Sequence, residues 1–184
     1  MARLGAAKDA LTEWAIRRTI KASALIDPGA MSLDVRSTVT VAAPPESAFA
    51  SFTERLRDWW PPDYTWSQQK LEDIGIEPGE GGMCFEIGPH KFRCDWGRVL
   101  AWQPPRRLVF TWQISSARVP DPDPDHASEV EVSFTSDGDE TRVDLVHSGF
   151  ERHGEGAKSY GSAMGSEYGW PLILARYAEL AASR

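Results

Sequence analysis

Gly169-Trp170-Pro171-Leu172-Ile173-Leu174-Ala175-Arg176-Tyr177-Ala178-Glu179-Leu180-Ala181 is the stretch whose reading decides the fold. Apolar residues fall at 170, 173, 174, 177, 180 and 181, a stripe at helical spacing and broad enough to bury. The stripe lies inside the terminal stretch from Glu155 to Arg184 and predicts a long closing helix. Upstream, residues 32–150 read as strand and turn, apart from one short helical segment. A long helix that follows a run of antiparallel strands buries its stripe across the hollow of a curved sheet, which makes the chain an α+β protein. Gly161, Gly165 and Gly169 recur every four residues and share one face if that helix is continuous, although each Gly costs a helix about 1 kcal/mol against Ala. A face without side chains admits another backbone or leaves room for a guest.

The chain in order supports this layout. Residues 1–27 read as an amphipathic helix on Leu4, Ala7, Leu11, Trp14 and Leu25, stopped by Asp27-Pro28-Gly29. Residues 1–30 are therefore taken as a helical extension and 31–184 as the main domain. From Leu33 to Ala43, apolar Leu33, Val35, Val39 and Val41 alternate with Asp34, Arg36, Thr38 and Thr40, the period of a half-buried strand. Pro44-Pro45 then primes a short helix whose buried side is Phe49, Phe52, Leu56 and Trp59. An irregular aromatic piece, 61–69, precedes strands near 70–76, 83–88, 91–102, 107–115, 129–136 and 141–148. Turns fall at Pro78-Gly79, Gly88-Pro89, Pro104-Pro105 and Asp137-Gly138-Asp139. Residues 118–128, RVPDPDPDHAS, form a polar, exposed loop.

Composition narrows the partners. The formal net charge of −7 argues against nucleic acid, since phosphate contact requires a basic stripe and none is present. No apolar run reaches the roughly 18 residues of a membrane span. Asp9, Glu13, Arg17 and Arg18 interrupt any secretory apolar region, so a cytoplasmic location is expected. If Met83/Phe85/Ile87 and Phe92/Cys94/Trp96 make the buried faces of a hairpin, Cys94 points in and Cys84 out. The two would then not meet, consistent with a reducing compartment. Eight Trp in 184 residues suit either a large core or the wall of a cavity.

Several local phrases carry a family resemblance. Ala43-Pro44-Pro45-Glu46-Ser47-Ala48-Phe49 enters the first helix, and Gly81-Gly82-Met83-Cys84-Phe85-Glu86 opens a hairpin. Trp102-Gln103-Pro104-Pro105-Arg106-Arg107-Leu108-Val109-Phe110-Thr111-Trp112, His147-Ser148-Gly149-Phe150 and Gly169-Trp170-Pro171 follow. Together they resemble the Aha-type C-terminal domain, named after the activator of the heat-shock-protein-90 ATPase, within the START/Bet v 1-like (SRPBCC) superfamily. The likeness covers about residues 32–182 and leaves the N-terminal helix outside. It implies a helix-grip: a curved antiparallel sheet of six to seven strands around the C-terminal helix, with an apolar pocket between them. Members serve as ligand carriers, co-chaperones and polyketide cyclases. Where the co-chaperone has a large domain to engage the chaperone, this sequence has only a helix, so direct ATPase activation is not expected.

Candidate chemistry is sparse. His147 shares a strand face with Val143 and Leu145, where a neutral imidazole could shuttle a proton or orient a carbonyl. Strand parity turns Arg93 and Asp95 outward as a solvated pair. Asp121, Asp123, Asp125 and His126 lie on a proline-stiffened segment, unlike the tight Gly-containing turn of a hard-cation loop. No metal site, phosphate loop, nucleophilic triad or cofactor motif is present, and no cofactor is expected. The expected site is a pocket lined by Phe85, Trp96, Phe110, Trp112, Tyr160, Met164 and Trp170, with Trp59 and Trp60 at its mouth and His147 and the Tyr160 hydroxyl as polar anchors. The leading expectation is non-catalytic binding of a small hydrophobic or aromatic molecule. The alternatives are a cyclase-like enzyme using His147 as acid/base on a polyketide or aromatic substrate, and a co-chaperone-like module that meets a protein partner, or a second copy, through residues 1–30.

Overall fold

The computed structural model describes residues 33–182, so the expected N-terminal helix and its partner role lie outside the described residues. Seven strands form one antiparallel sheet. They are β1 (Val35–Val41), β2 (Asp73–Ile76), β3 (Met83–Ile87), β4 (Arg93–Gln103), β5 (Arg107–Trp112), β6 (Ser128–Asp137) and β7 (Glu140–Ser148). Their spatial order is β1-β7-β6-β5-β4-β3-β2, so every neighbour but the β1–β7 pair is consecutive in sequence. Two helical pieces, α1 (Pro45–Glu54) and α2 (Leu56–Trp59), fill the crossover between β1 and β2. The sheet curls into a half-barrel, with the α+β helix-grip arrangement expected from the sequence.

The period-2 pattern explains most of the packing. Val130, Val132 and Phe134 of β6 stand opposite His147, Leu145 and Val143 of β7, and all six are buried on the concave face. Phe49 and Phe52 of α1 meet the Phe134 ring with centroids 5.3 and 5.7 Å apart. A register shift between Val99 and Ala101 and another between Cys84 and Phe85 bend the sheet, as extra residues in one strand do.

One expected face is reversed. In β3 it is Cys84 and Glu86, not Met83, Phe85 and Ile87, that point into the concave side. The pairing of Phe85 with Asp95 and Cys84 with Gly97 leaves Trp96 as the extra residue, turned inward. The outward Phe85 ring covers Gly75 of β2, where an added Cβ would come within 2.9 Å of it, and carries the Arg93 guanidinium 4.6 Å from its centroid. Cys84 and Cys94 are free thiols opposite Gly97 and Glu86 respectively, rather than on opposite faces.

The closing helix spans two segments, α3 (Ala157–Met164) and α4 (Trp170–Ala182), with a turn between. The stripe buries as its spacing requires: Trp170, Ile173, Leu174, Tyr177 and Ala181 are all inside, each large apolar side chain contributing about 1.5–3 kcal/mol. The Tyr177 hydroxyl donates to the Ala48 carbonyl at 2.8 Å and ties α4 to α1. The break changes the meaning of the glycines. A Cβ added at Gly161 or Gly165 would meet Leu33 or Val35 at ordinary contact distance, whereas one on Gly169 would strike the Met164 carbonyl, so the chain can fold back there only without a side chain.

Candidate functional site

A cavity of about 230 Å³ opens between the β3–β5 end of the sheet, the 61–69 segment and the α3–α4 turn. Its inner wall is indole. Trp60 stacks on Trp96 (centroids 6.1 Å, planes 28° apart), and Trp112 meets Trp96 edge-on at 5.5 Å. Ile74, Ile114, Met164 and Ile173 complete the apolar lining. The rim is aromatic and exposed: Tyr64, Trp66 and Tyr168.

Hydrogen bonds lock that rim to the scaffold. The Tyr64 hydroxyl donates to the Tyr168 carbonyl at 2.7 Å, joining the 61–69 segment to the α3–α4 turn. The Trp66 indole N–H donates to the Arg118 carbonyl at 2.9 Å, joining it to the 115–120 turn. Underneath, the Glu86 carboxylate, only 2% exposed, accepts the backbone N–H groups of Trp66 (3.1 Å) and Ser67 (2.8 Å). A buried carboxylate without such donors would be costly, so this pairing explains why β3 turns Glu86 inward.

Tyr160 is a second buried polar group in the wall. Its hydroxyl accepts the Trp112 indole N–H at 2.7 Å, and the Arg118 guanidinium lies 5.4 Å from its ring centroid. Burial pushes the phenol up from its ordinary range, opposed by the Trp112 bond and the Arg118 charge. Behind the wall runs a chain of three bonds. The Trp170 indole N–H, which can only donate, gives its proton to His147 Nδ1 at 3.0 Å. Neutral His147 then carries its proton on Nε2 and donates to Ser128 Oγ at 2.7 Å, and Ser128 Oγ shares a hydrogen bond with His153 Nε2 at 2.8 Å. Burial lowers the His147 pKa to about 3, with the nearby His153 adding to the effect.

The family model described as activator of Hsp90 ATPase homolog 1-like protein (AHSA1) matches residues 42–182. The chain belongs to that family. Among solved structures, an anthrahydroquino-gamma-pyrone synthase, Txn09 complexed with SUM, is 40% identical with a TM-score of 0.59, the match covering 80% of this chain and 96% of that one. The self-sacrificing resistance protein CalC from Micromonospora echinospora is 29% identical with a TM-score of 0.57, covering 82% and 97%. The Aha1 dimer from Colwellia psychrerythraea, 14% identical with a TM-score of 0.57, covers 82% and 96% and shares the fold. A search of curated proteins finds no match.

In this AHSA1-type domain the residues singled out from the sequence separate into three groups. Trp60, Trp96, Trp112, Tyr160 and Met164 line the cavity. Trp59, Phe110, His147 and Trp170 are buried but do not line it; they form the packed layer behind. Phe85 lies on the convex face, since strand parity is set by Glu86. His147 is thus a positioning residue for Trp170 and Ser128, and neither ring nitrogen is left for a guest. Alternation with Phe85 inward places Glu86 outward, and Arg118 opens the polar 118–128 loop, yet both line the cavity. The dense aromatics of 59–66 were the one available sign of a rim there.

The acidic loop is also accounted for. Asp121 accepts the Asp123 N–H, Asp123 accepts the Asp125 N–H, and His126 Nδ1 meets Asp121 at 2.9 Å, so the carboxylates close their own turns. Among the described residues, no cluster of three or more His, Cys, Asp or Glu could hold a metal ion, and no helix is long and apolar enough to cross a membrane.

Proposed function

We propose that the cavity binds a flat, fused-ring aromatic molecule. The observation that carries this reading is an open volume of about 230 Å³ walled by Trp60, Trp96 and Trp112. An apolar cavity of about 150 Å³ holds one benzene ring, so this one, about one and a half times as large, takes one ring and part of a second, with further fused rings extending past the rim. Tryptophan faces favour aromatic guests by offset and edge-on contacts, each worth about 0.5–1.5 kcal/mol beyond area. The likeness to a synthase of anthrahydroquinone type supports the same guest class. Two measurements test it: native mass spectrometry of protein from its own host, and quenching of tryptophan fluorescence by 1,8-dihydroxyanthraquinone. A retained aromatic mass and saturable quenching are expected; bare protein with no quenching would overturn the reading.

A second reading, ring closure on the bound guest, is favoured by the 40% identity to that synthase. Incubation with aromatic polyketide intermediates, followed by chromatography, separates the two: a carrier returns its guest unchanged, an enzyme turns it over. His147 is not the acid/base in that reading, because its nitrogens are occupied and its charge is suppressed. Contact with a protein partner or second copy through residues 1–30 is a separate proposal, tested by light scattering and pull-down with and without that segment; unchanged mass and capture would sink it.

A further inference from the structure

Polar groups around the cavity differ in whether their protons are taken. The Trp112 indole N–H goes to Tyr160, the Trp66 indole N–H to the Arg118 carbonyl, the Tyr64 hydroxyl to the Tyr168 carbonyl, and the Thr65 hydroxyl to the Pro62 carbonyl. Tyr160 is different. Its oxygen accepts from Trp112, which leaves its own proton to donate, and no group among the described residues accepts it. Tyr160 is only 4% exposed and lines the cavity, so an oxygen placed in that space is the acceptor the wall itself does not supply. A buried hydroxyl without an acceptor is destabilising, and a guest oxygen would satisfy it.

Arg118 lies next to it. The guanidinium sits 5.4 Å from the Tyr160 ring at the cavity edge and forms no ion pair among the described residues. Its backbone is held in the left-handed region (φ 61°), with its N–H bound to Ser115 and its carbonyl to Trp66, which sets the side chain against Tyr160. The carboxylates that also line the cavity do not compete for this corner. Glu86 takes two backbone N–H groups, and exposed Asp63 takes the Gln69 amide at 3.4 Å.

We propose that Tyr160 and Arg118 form a donor pair for a carbonyl or phenolate oxygen at the edge of the guest, which narrows the ligand class from aromatic hydrocarbons to quinones and hydroxyquinones. The inference rests on the cavity reading above and adds the atom by which the guest is oriented. Trp112 sharpens the pair, because donation into the Tyr160 oxygen polarises its O–H. In a ring-closing reaction the same pair would stabilise negative charge on that oxygen as a bond forms elsewhere in the guest.

Anthracene and 9,10-anthraquinone share an outline and differ by two carbonyl oxygens, so titration of each by tryptophan quenching isolates the donor pair from shape. Wild type is expected to bind the quinone at least about threefold to tenfold more tightly than the hydrocarbon, the range of the one neutral hydrogen bond from Tyr160, with the charged Arg118 adding to it. Tyr160→Phe should lower quinone affinity by more than anthracene affinity and so remove most of that preference. Arg118→Gln, at an exposed position that does not threaten folding, should reduce it and weaken the red shift of a bound hydroxyquinone. Equal binding of the two probes by wild type, or equal loss of both in Tyr160→Phe, overturns the donor pair while the cavity reading stands. Binding of neither probe overturns both.

Discussion

The Trp170 indole N–H and His147 Nδ1 lie 3.0 Å apart, and this one bond sets the proton of a fully buried histidine on its other nitrogen. The first residue of α4 thereby holds the last inward residue of β7, the contact by which sheet and closing helix grip each other. A histidine used in this way has a titration signature.

Unfolded His147 titrates near 6.5 and the folded group at about 3. Below pH 6.5 the unfolded chain therefore binds a proton that the folded chain does not, and stability falls as pH falls towards 3, by at most roughly 1.4 kcal/mol per pH unit. Melting temperatures between pH 7 and 4 should decline in wild type and less steeply in His147→Gln. Imidazole NMR at pH 5 should find His147 neutral and protonated on Nε2. A charged His147 ring at that pH would contradict the bonding scheme. His126, raised by its bond to Asp121, should already be protonating above 6.5.

Trp112 touches Trp60, Trp96, Trp170 and His147 and caps Tyr160. Trp112→Ala should destabilise by about 3–5 kcal/mol in urea titrations, as large-to-small changes in well-packed sites do. A midpoint near wild type would mean the ring borders space rather than supporting the wall.

Glu86→Ala should release the N–H groups of Trp66 and Ser67 and cost about 1–3 kcal/mol. Hydrogen exchange gives the sharper check. Protection at residues 66 and 67 should drop while β6 and β7 keep theirs; unchanged protection would deny the carboxylate its role in holding the rim.

Gly169→Ala and Gly161→Ala make a matched pair. A Cβ at 169 collides with the Met164 carbonyl, while one at 161 meets the Phe150 ring and Leu33 carbonyl at 3.5 Å. Thermal melts should show Gly169→Ala destabilised by about 1–3 kcal/mol and Gly161→Ala close to wild type or better. The reverse order would place the constraint in α3 rather than at the turn.

Much of this architecture is legible in the chain, and the places where it is not share a cause. Strand faces of β1 and β7 follow alternation because each has one covered side, so Val143, Leu145 and His147 are placed inward correctly by their spacing. The β3–β4 hairpin misleads because Glu86, a charged residue, takes an inward position to satisfy backbone donors that lie about twenty residues away in sequence. Counting apolar residues cannot anticipate a partner that arrives from another segment. The same limit hid Arg118, whose relation to Tyr160 comes from a turn held by Trp66. It also divided the aromatic residues: His147 and Trp170 share a face with Trp112, yet they lie one layer deeper and take each other's hydrogen bonds.

By itself the sequence determined the order of elements and the faces of most strands, because periodicity and turn chemistry act between near neighbours, and the helix-grip followed from the family resemblance of its local phrases. Only the tertiary structure decided which indoles wall a cavity and which are core, and that Tyr160 keeps a proton free beside Arg118. Those outcomes depend on bonds between residues tens of positions apart, whose directions are set only when the sheet has curled and brought them together.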